Sequence, residues 1–326
     1  MEGSFTMKNL SHTIPQANKK SFWKKALFDI RRHYQLYLLV LIPLIVIILF
    51  KYVPMYGIQI AFRDFKITKS ITSGKFVGLK YFKKFFNNPQ AMTYIWNTIS
   101  ISIYELCTFP LSLILALLLH YVTSRKFRKV VQMVSYAPYF ISTVVMCGII
   151  LQFLQARGGL INLLLNLIGI ESKNWITYPS AFRHIYVWSG VWQSVGYNSI
   201  IYIAALSSVS MELHEAALVD GANILQRIWH VDIPSVMPTF CVLLIIRCGN
   251  IMNVGFQKVL LLQNNLNLRT SEIISTYAYN IGLNSSGSTP QYSYGTAIGL
   301  FTSVVNLILL VIVNKIIKKL SGSGLW

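Results

Sequence analysis

Six apolar runs, each about as long as a bilayer core is thick, dominate the chain: roughly 36–56, 94–122, 129–153, 185–207, 236–262 and 294–317. A helix needs about 20 mostly apolar residues to cross the hydrocarbon layer, where every backbone N–H and C=O must be paired within the segment. The chain is therefore predicted to be an all-α membrane protein with six transmembrane helices. A seventh apolar stretch, 159–170 (GLINLLLNLIGI), is too short to cross and predicts an interfacial or re-entrant helix. Only 12% of the residues are charged, about half the share of a soluble domain. Lipid rather than water must solvate much of the surface.

The 29 Lys+Arg against 10 Asp+Glu give a net charge of +19. In a soluble protein that balance would suggest nucleic acid. Here the basic residues flank apolar runs, so the expected anionic partner is membrane lipid, with no nucleic acid. Six crossings put both termini on one side. Placing them in the cytoplasm leaves 15 basic residues inside and 11 outside, which leans with the positive-inside rule. The SRKFRK loop at 124–129 is the clearest local signal. The expected organisation is a cytoplasmic tail, 1–35, a six-span membrane domain, 36–320, and a cytoplasmic tail, 321–326. No A-x-A-like site follows the first apolar run, which reads as an anchor and not as a removed signal. The four cysteines lie in apolar segments without C-x-x-C or His/Cys spacing. They read as buried thiols, and no metal site is expected.

No G-x-x-x-x-G-K-[ST] phosphate loop is present, so the chain is not expected to bind ATP itself. H-E-x-x-H and G-x-S-x-G are absent too. Glu105 is the one acidic residue well inside a span, which leaves no carboxylate relay for a proton-coupled carrier. Any transport by this chain must draw its energy from another.

The segment between spans four and five, 208–238, is different in kind. Ser210 reads as an N-cap with Glu212 in the first turn. A short helix through 215–219 meets Asp220-Gly221, a breaker whose glycine can take positive φ. A second helix, 223–231, carries Ile224, Leu225, Ile228 and Trp229 on one face, and Pro234 and Pro238 close the segment. Glu212, Glu215, Asp220 and Asp232 against Arg227 leave it at −3 in a basic chain. That charge predicts docking on another protein instead of on anionic lipid.

The pattern E-A-A-x-x-D-G-A followed by I-P, here Glu215-Ala216-Ala217, Asp220-Gly221-Ala222 and Ile233-Pro234, resembles the EAA loop of binding-protein-dependent ABC importer permeases. Isoleucine stands where that family often has leucine. KYVPMYGIQIAFRDF (51–65), FVGLKYFKKFF (76–86), GFQKVLLLQN (255–264), SEIISTYAYNIGL (271–283) and the terminal GLW resemble the carbohydrate-uptake permeases of the polysaccharide or oligosaccharide type. The resemblance implies a type I ABC importer permease fold in a bacterial cell membrane, with no cofactor on this chain and with ATP and Mg on a partner ATPase. The partners it implies are a second homologous permease, two ATPase domains, an extracytoplasmic solute-binding protein and an oligosaccharide. It also implies that the loop is a coupling helix seated in a groove of the ATPase. Glu215 would cap or form a salt bridge, Ala216 and Ala217 would permit close approach, Gly221 would make the bend, and Ile228 and Trp229 would pin the second helix to the body.

For a substrate path, Arg247, Asn250, Asn253 and Gln257 recur at a spacing that predicts one stripe along span five. Span four offers Trp188, Ser189, Trp192, Gln193, Tyr197 and Asn198, and span two offers Asn97, Tyr104 and Glu105. Aromatic faces and amides are the chemistry that binds sugars. The same groups serve equally as glue between helices. Glu105 and Arg247, each roughly eleven residues into its span, are either a mutual ion pair or substrate contacts. The ion pair is the simpler expectation. Gly295-x-x-x-Gly299 suggests close helix packing at a subunit interface. A rival function, a membrane-embedded enzyme or assembly factor for lipid-linked glycans, would need acid, base or metal groups converging on one site. No such set is legible in the sequence.

Overall fold

The computed structural model describes residues 28, 30–68, 70–284, 289–322 and 324–326. Most of the expected tail at 1–35 lies outside the described residues. Among those described, helices predominate, and one short antiparallel pairing joins Arg63–Asp64 to Lys75–Phe76. The chain divides into two compact units, 1–58 and 59–326.

Among the described residues, four helices are long and apolar enough to cross a membrane: Tyr34–Phe62, Ala91–Tyr121, Ile224–Cys248 and Tyr292–Ser321. The run at 129–153 is instead a pair, Arg125–Phe140 and Thr143–Phe153, bent by 102°. Pro138 sits in the 3-10 turn that ends the first member, and Ser142 starts the second by accepting the Val145 N–H. Counted as one crossing, the pair makes five. The Pro179–Ser207 helix, 29 residues long, carries Arg183, His184, Gln193 and Asn198 among its apolar residues. It packs against Leu111–Tyr121, Arg125–Tyr136 and Ile233–Cys248. A helix enclosed by protein can hold polar groups that a lipid-facing one cannot. Gly196 makes one of these approaches possible, since a Cβ there would lie 2.1 Å from the Ser135 carbonyl oxygen.

In the first unit, the Tyr34–Ile47 helix and the turns after it expose large apolar side chains all round, the pattern of a helix solvated by lipid. A π turn at Ile48–Tyr52 precedes Pro54, and another at Ile228–Asp232 precedes Pro234. The cause is common to both. Proline supplies no N–H to the carbonyl four residues back and crowds it, so the ladder widens by one residue just upstream. Two sequence expectations are corrected here. Pro234 and Pro238 do not close the 208–238 segment, because the helix runs unbroken from Ile224 to Cys248. The fifth span does not run to 262: it stops at Cys248, passes through irregular backbone, and resumes as Phe256–Leu262.

Side chains from other elements hold that break. Gly249 packs on Leu310, where a Cβ would come within 2.2 Å. The Ser102 hydroxyl donates to the Ile251 carbonyl, the Met252 N–H donates to Asn306 Oδ1 at 3.0 Å, and the Gly255 N–H donates to the Tyr186 hydroxyl at 3.0 Å. Non-helical backbone at membrane depth survives only when it is satisfied in this way and lines protein or a cavity.

Two smaller expectations also change. Cys147 and Cys241 are buried, but Cys107 is exposed and Cys248 is half-buried. Gly295 serves packing inside the chain, against Ala278 and Gly282, whereas nothing lies near Gly299. The stretch at 159–170 forms a helix too short to cross, as expected: Leu160–Leu167, eight residues.

Candidate functional site

The break at 249–255 opens onto a cavity of about 590 Å³. Its walls come from the Ala91–Thr108, Leu111–Tyr121 and Pro179–Ser207 helices, from the end of the Ile233–Cys248 helix with the backbone beyond it, and from the Phe256–Leu262 helix. Glu105, Gln193, Asn198, Arg247, Asn250 and Asn253 line it. Arg247 Nη2 donates to Glu105 Oε2 at 2.7 Å, so the two mid-span charges form an ion pair in the cavity wall. The Arg247 side chain remains 48% exposed there, leaving donors free to face a bound molecule.

Lys258 was missed by the sequence reading and lines the same cavity. It is buried, and its Nζ donates to the Tyr186 carbonyl at 2.6 Å and lies 4.5 Å from the centre of the Tyr186 ring. Gly190 leaves room for the ammonium, since a Cβ there would stand 3.2 Å from Nζ. The signal was a lone lysine inside an apolar run, which within a membrane segment marks function by default. Arg247 and Lys258 against Glu105 give the charged lining an excess of one positive charge.

Other candidates lie elsewhere. Asn97 is buried and knits backbone, donating to the carbonyls of Arg269 and Glu272 and accepting from Arg183 Nη2. Tyr104 shares its hydroxyl with His184 Nδ1 and accepts from Trp188 Nε1 at 2.8 Å, away from the cavity lining. Trp192 is about half exposed and does not line the cavity. Tyr197 stacks on Tyr139 with ring centres 3.7 Å apart. Gln257, exposed on the Phe256–Leu262 helix, is carried off the expected stripe by the break.

The loop has a built geometry of its own. Ser210 caps the Met211–Val219 helix by accepting the Glu212 N–H. That helix ends in a Schellman motif: Ala222 N–H donates to the Ala217 carbonyl, Gly221 N–H to the Leu218 carbonyl, and Gly221 sits at φ 77°. Asn223 and Gln226 then form a capping box that starts the next helix. The D-G-A-N string is thus a stop followed at once by a start. Glu215 and Ala216 are exposed, with Met211, Leu218 and Val219 beside them. Ala217 and Ala222 are half-buried.

Two expectations within the loop fail. Trp229 is 65% exposed and does not pin the second helix; Ile228 does, packed among Leu206, Tyr202 and Val236. Asp232 is wholly buried, with its Oδ1 facing His214 Nε2 at 3.4 Å and its Oδ2 accepting from the Tyr121 hydroxyl at 2.6 Å. It therefore adds nothing to the acidic surface, which rests on Glu212, Glu215 and Asp220. Ile233 is half-buried and Pro234 exposed, both inside the continuous helix.

Residues 108–322 match the family described as binding-protein-dependent transport system inner membrane component. The polygalacturonan/rhamnogalacturonan transport system permease protein YteP of Bacillus subtilis (strain 168) is 38% identical over 94% of this chain and 95% of its own length. Protein LplB of the same organism is 37% identical over 95% and 96%. A chain of the crystal structure of a bacterial alginate ABC transporter, in complex with an alginate pentasaccharide-bound periplasmic protein, superposes with a TM-score of 0.82. It is 36% identical, and the match covers 91% of this chain and 98% of that one.

Proposed function

The chain belongs to the binding-protein-dependent transport system inner membrane components, and we propose that it forms half of the translocation path for an acidic oligosaccharide. It is a membrane-embedded permease subunit of an ABC importer, and ATP hydrolysis falls to a separate chain. The observation that carries the substrate class is the cavity lining: Arg247 and Lys258 outnumber Glu105, with the amides of Gln193, Asn198, Asn250 and Asn253 around them. Guanidinium and ammonium groups in a water-poor site bind carboxylates strongly, and amides bind hydroxyls. Relatives named for polygalacturonan and alginate, both polymers of acidic sugars, agree with that charge.

In this proposal the bent pair at 125–153 and the Pro179–Ser207 helix complete six crossings within 36–320. Both termini, 1–35 and 321–326, then face the cytoplasm of a bacterial cell. A second, homologous permease closes the other half of the path, two ATPase domains sit below, and an extracytoplasmic binding protein delivers the sugar. The 208–238 loop couples to the ATPase. Its support is the exposed surface of Glu215, Ala216, Leu218 and Val219 on a helix whose end is fixed by Asp220-Gly221-Ala222.

The test is uptake and ATPase stimulation in proteoliposomes holding the assembled importer, with binding protein loaded with oligogalacturonates or with neutral gluco-oligosaccharides. Acidic glycans are expected to stimulate both activities. Lys258→Gln should cut acidic uptake by on the order of tenfold, the loss of one charge-assisted contact. Stimulation by neutral glycans alone, unchanged in Lys258→Gln, would overturn the acidic assignment.

A further inference from the structure

The fold gathers three side chains that no local stretch of sequence pairs. His120 ends the Ala91–Tyr121 helix, His214 lies in the first helix of the loop, and Asp232 lies in the π turn that follows the second. One ligand atom from each lies within 4.8 Å of the other two. Asp232 and His214 are buried. His214 Nε2 and Asp232 Oδ1 face each other at 3.4 Å, and neither makes a hydrogen bond. Buried polar atoms without partners are rare, and each asks for an explanation. A direct bond would need a closer, aligned approach. The observed spacing suits something else: two ligands at about 2.05 Å from a tetrahedral ion stand about 3.3 Å apart.

We propose that His120, His214 and Asp232 bind a divalent transition-metal ion of the Zn²⁺ class, with a fourth position open to water. Two imidazoles and one carboxylate do not suit Mg²⁺ or Ca²⁺, which take oxygen ligands. Octahedral ions place adjacent ligands about 3.0 Å apart, shorter than the spacing here. Tyr121 supplies the outer shell: its hydroxyl holds Asp232 Oδ2 at 2.6 Å and leaves Oδ1 turned to the ion. Two arginines lie nearby, each with a buried Nε that makes no hydrogen bond. Arg128 donates to the carbonyls of His120 and Val122, and Arg227 stacks over the Tyr121 ring at 5.4 Å. His120, half-buried at a helix end, has the freedom to close the site. The ion ties the loop to two membrane helices; any consequence for coupling rests on the proposed function, but the binding itself does not.

The experiment is Zn²⁺ titration of the full chain in the assembled transporter, purified with a tag free of histidine, with Co²⁺ substitution to read coordination by visible absorption. One equivalent should bind, with the intense d–d bands of tetrahedral Co²⁺. His120→Ala and His214→Ala should each weaken binding tenfold or more, Tyr121→Phe about tenfold, and His184→Ala and His230→Ala not at all. His120→Ala keeps the test sound should His214→Ala fail to assemble. Absence of a stoichiometric site, or binding unchanged in His120→Ala, would overturn the proposal.

Discussion

At the scale of single residues, the mid-span charges are arranged by cost. A lone charge at the bilayer centre costs at least ~2.5–3.5 kcal/mol on insertion scales. Glu105 and Arg247 offset this by pairing at 2.7 Å, and Lys258 by bonding to a carbonyl against an aromatic face. Glu105→Gln and Arg247→Gln should each lower the yield of assembled importer on gel filtration, and the double change should restore much of it, because an unpaired buried charge is worse than none. The single losses should fall below the ~3–5 kcal/mol of a fully buried pair, since the Arg247 side chain is half exposed to the cavity. Equal yields from all three variants would show that the pair does not hold the helices. The double variant should still transport acidic glycans poorly, having lost a lining cation.

At the scale of elements, the loop is a rigid turn made from four consecutive residues, Asp220 to Asn223. Gly221 at φ 77° has open space around it, so what a side chain meets there is backbone strain, about 1–2 kcal/mol for an ordinary L-residue. Asparagine tolerates that region, and β-branched residues do not. Gly221→Val is therefore expected to insert normally but to lose ATPase co-purification and uptake, with Gly221→Asn retaining most of both. Glu215→Lys, which leaves the bend intact and reverses an exposed charge, should weaken docking alone. Normal docking in Gly221→Val and Glu215→Lys would reduce the loop to a connector.

At the scale of the whole molecule, the chain is one part of a larger machine. The chain has no phosphate loop to power transport by itself. Purified alone it should bind no ATP by equilibrium dialysis and should show no turnover, while addition of the partner chains restores both. Stoichiometric nucleotide binding to the isolated chain would contradict its role as a permease subunit.

What the sequence determined by itself is what local chemistry controls. Run length and composition marked the four helices long and apolar enough to cross a membrane, because hydrocarbon admits only internally bonded apolar segments. Ser210 and Asp220-Gly221 marked the loop's first cap and its bend, because both are local in the chain. The tertiary structure decided whatever depends on distant partners. The break after Cys248 exists because Ser102, Asn306 and Tyr186, each far away in sequence, satisfy the backbone it frees; periodicity alone reads on through it and misplaces Gln257. Lys258 is a cavity residue because the chain turns at that break. Asp232 looks like surface acid in sequence and is buried because His214 and Tyr121 close over it. Spacing along one strand of text carries no record of which helices lie side by side, and in this protein those neighbours make both the cavity and the histidine cluster.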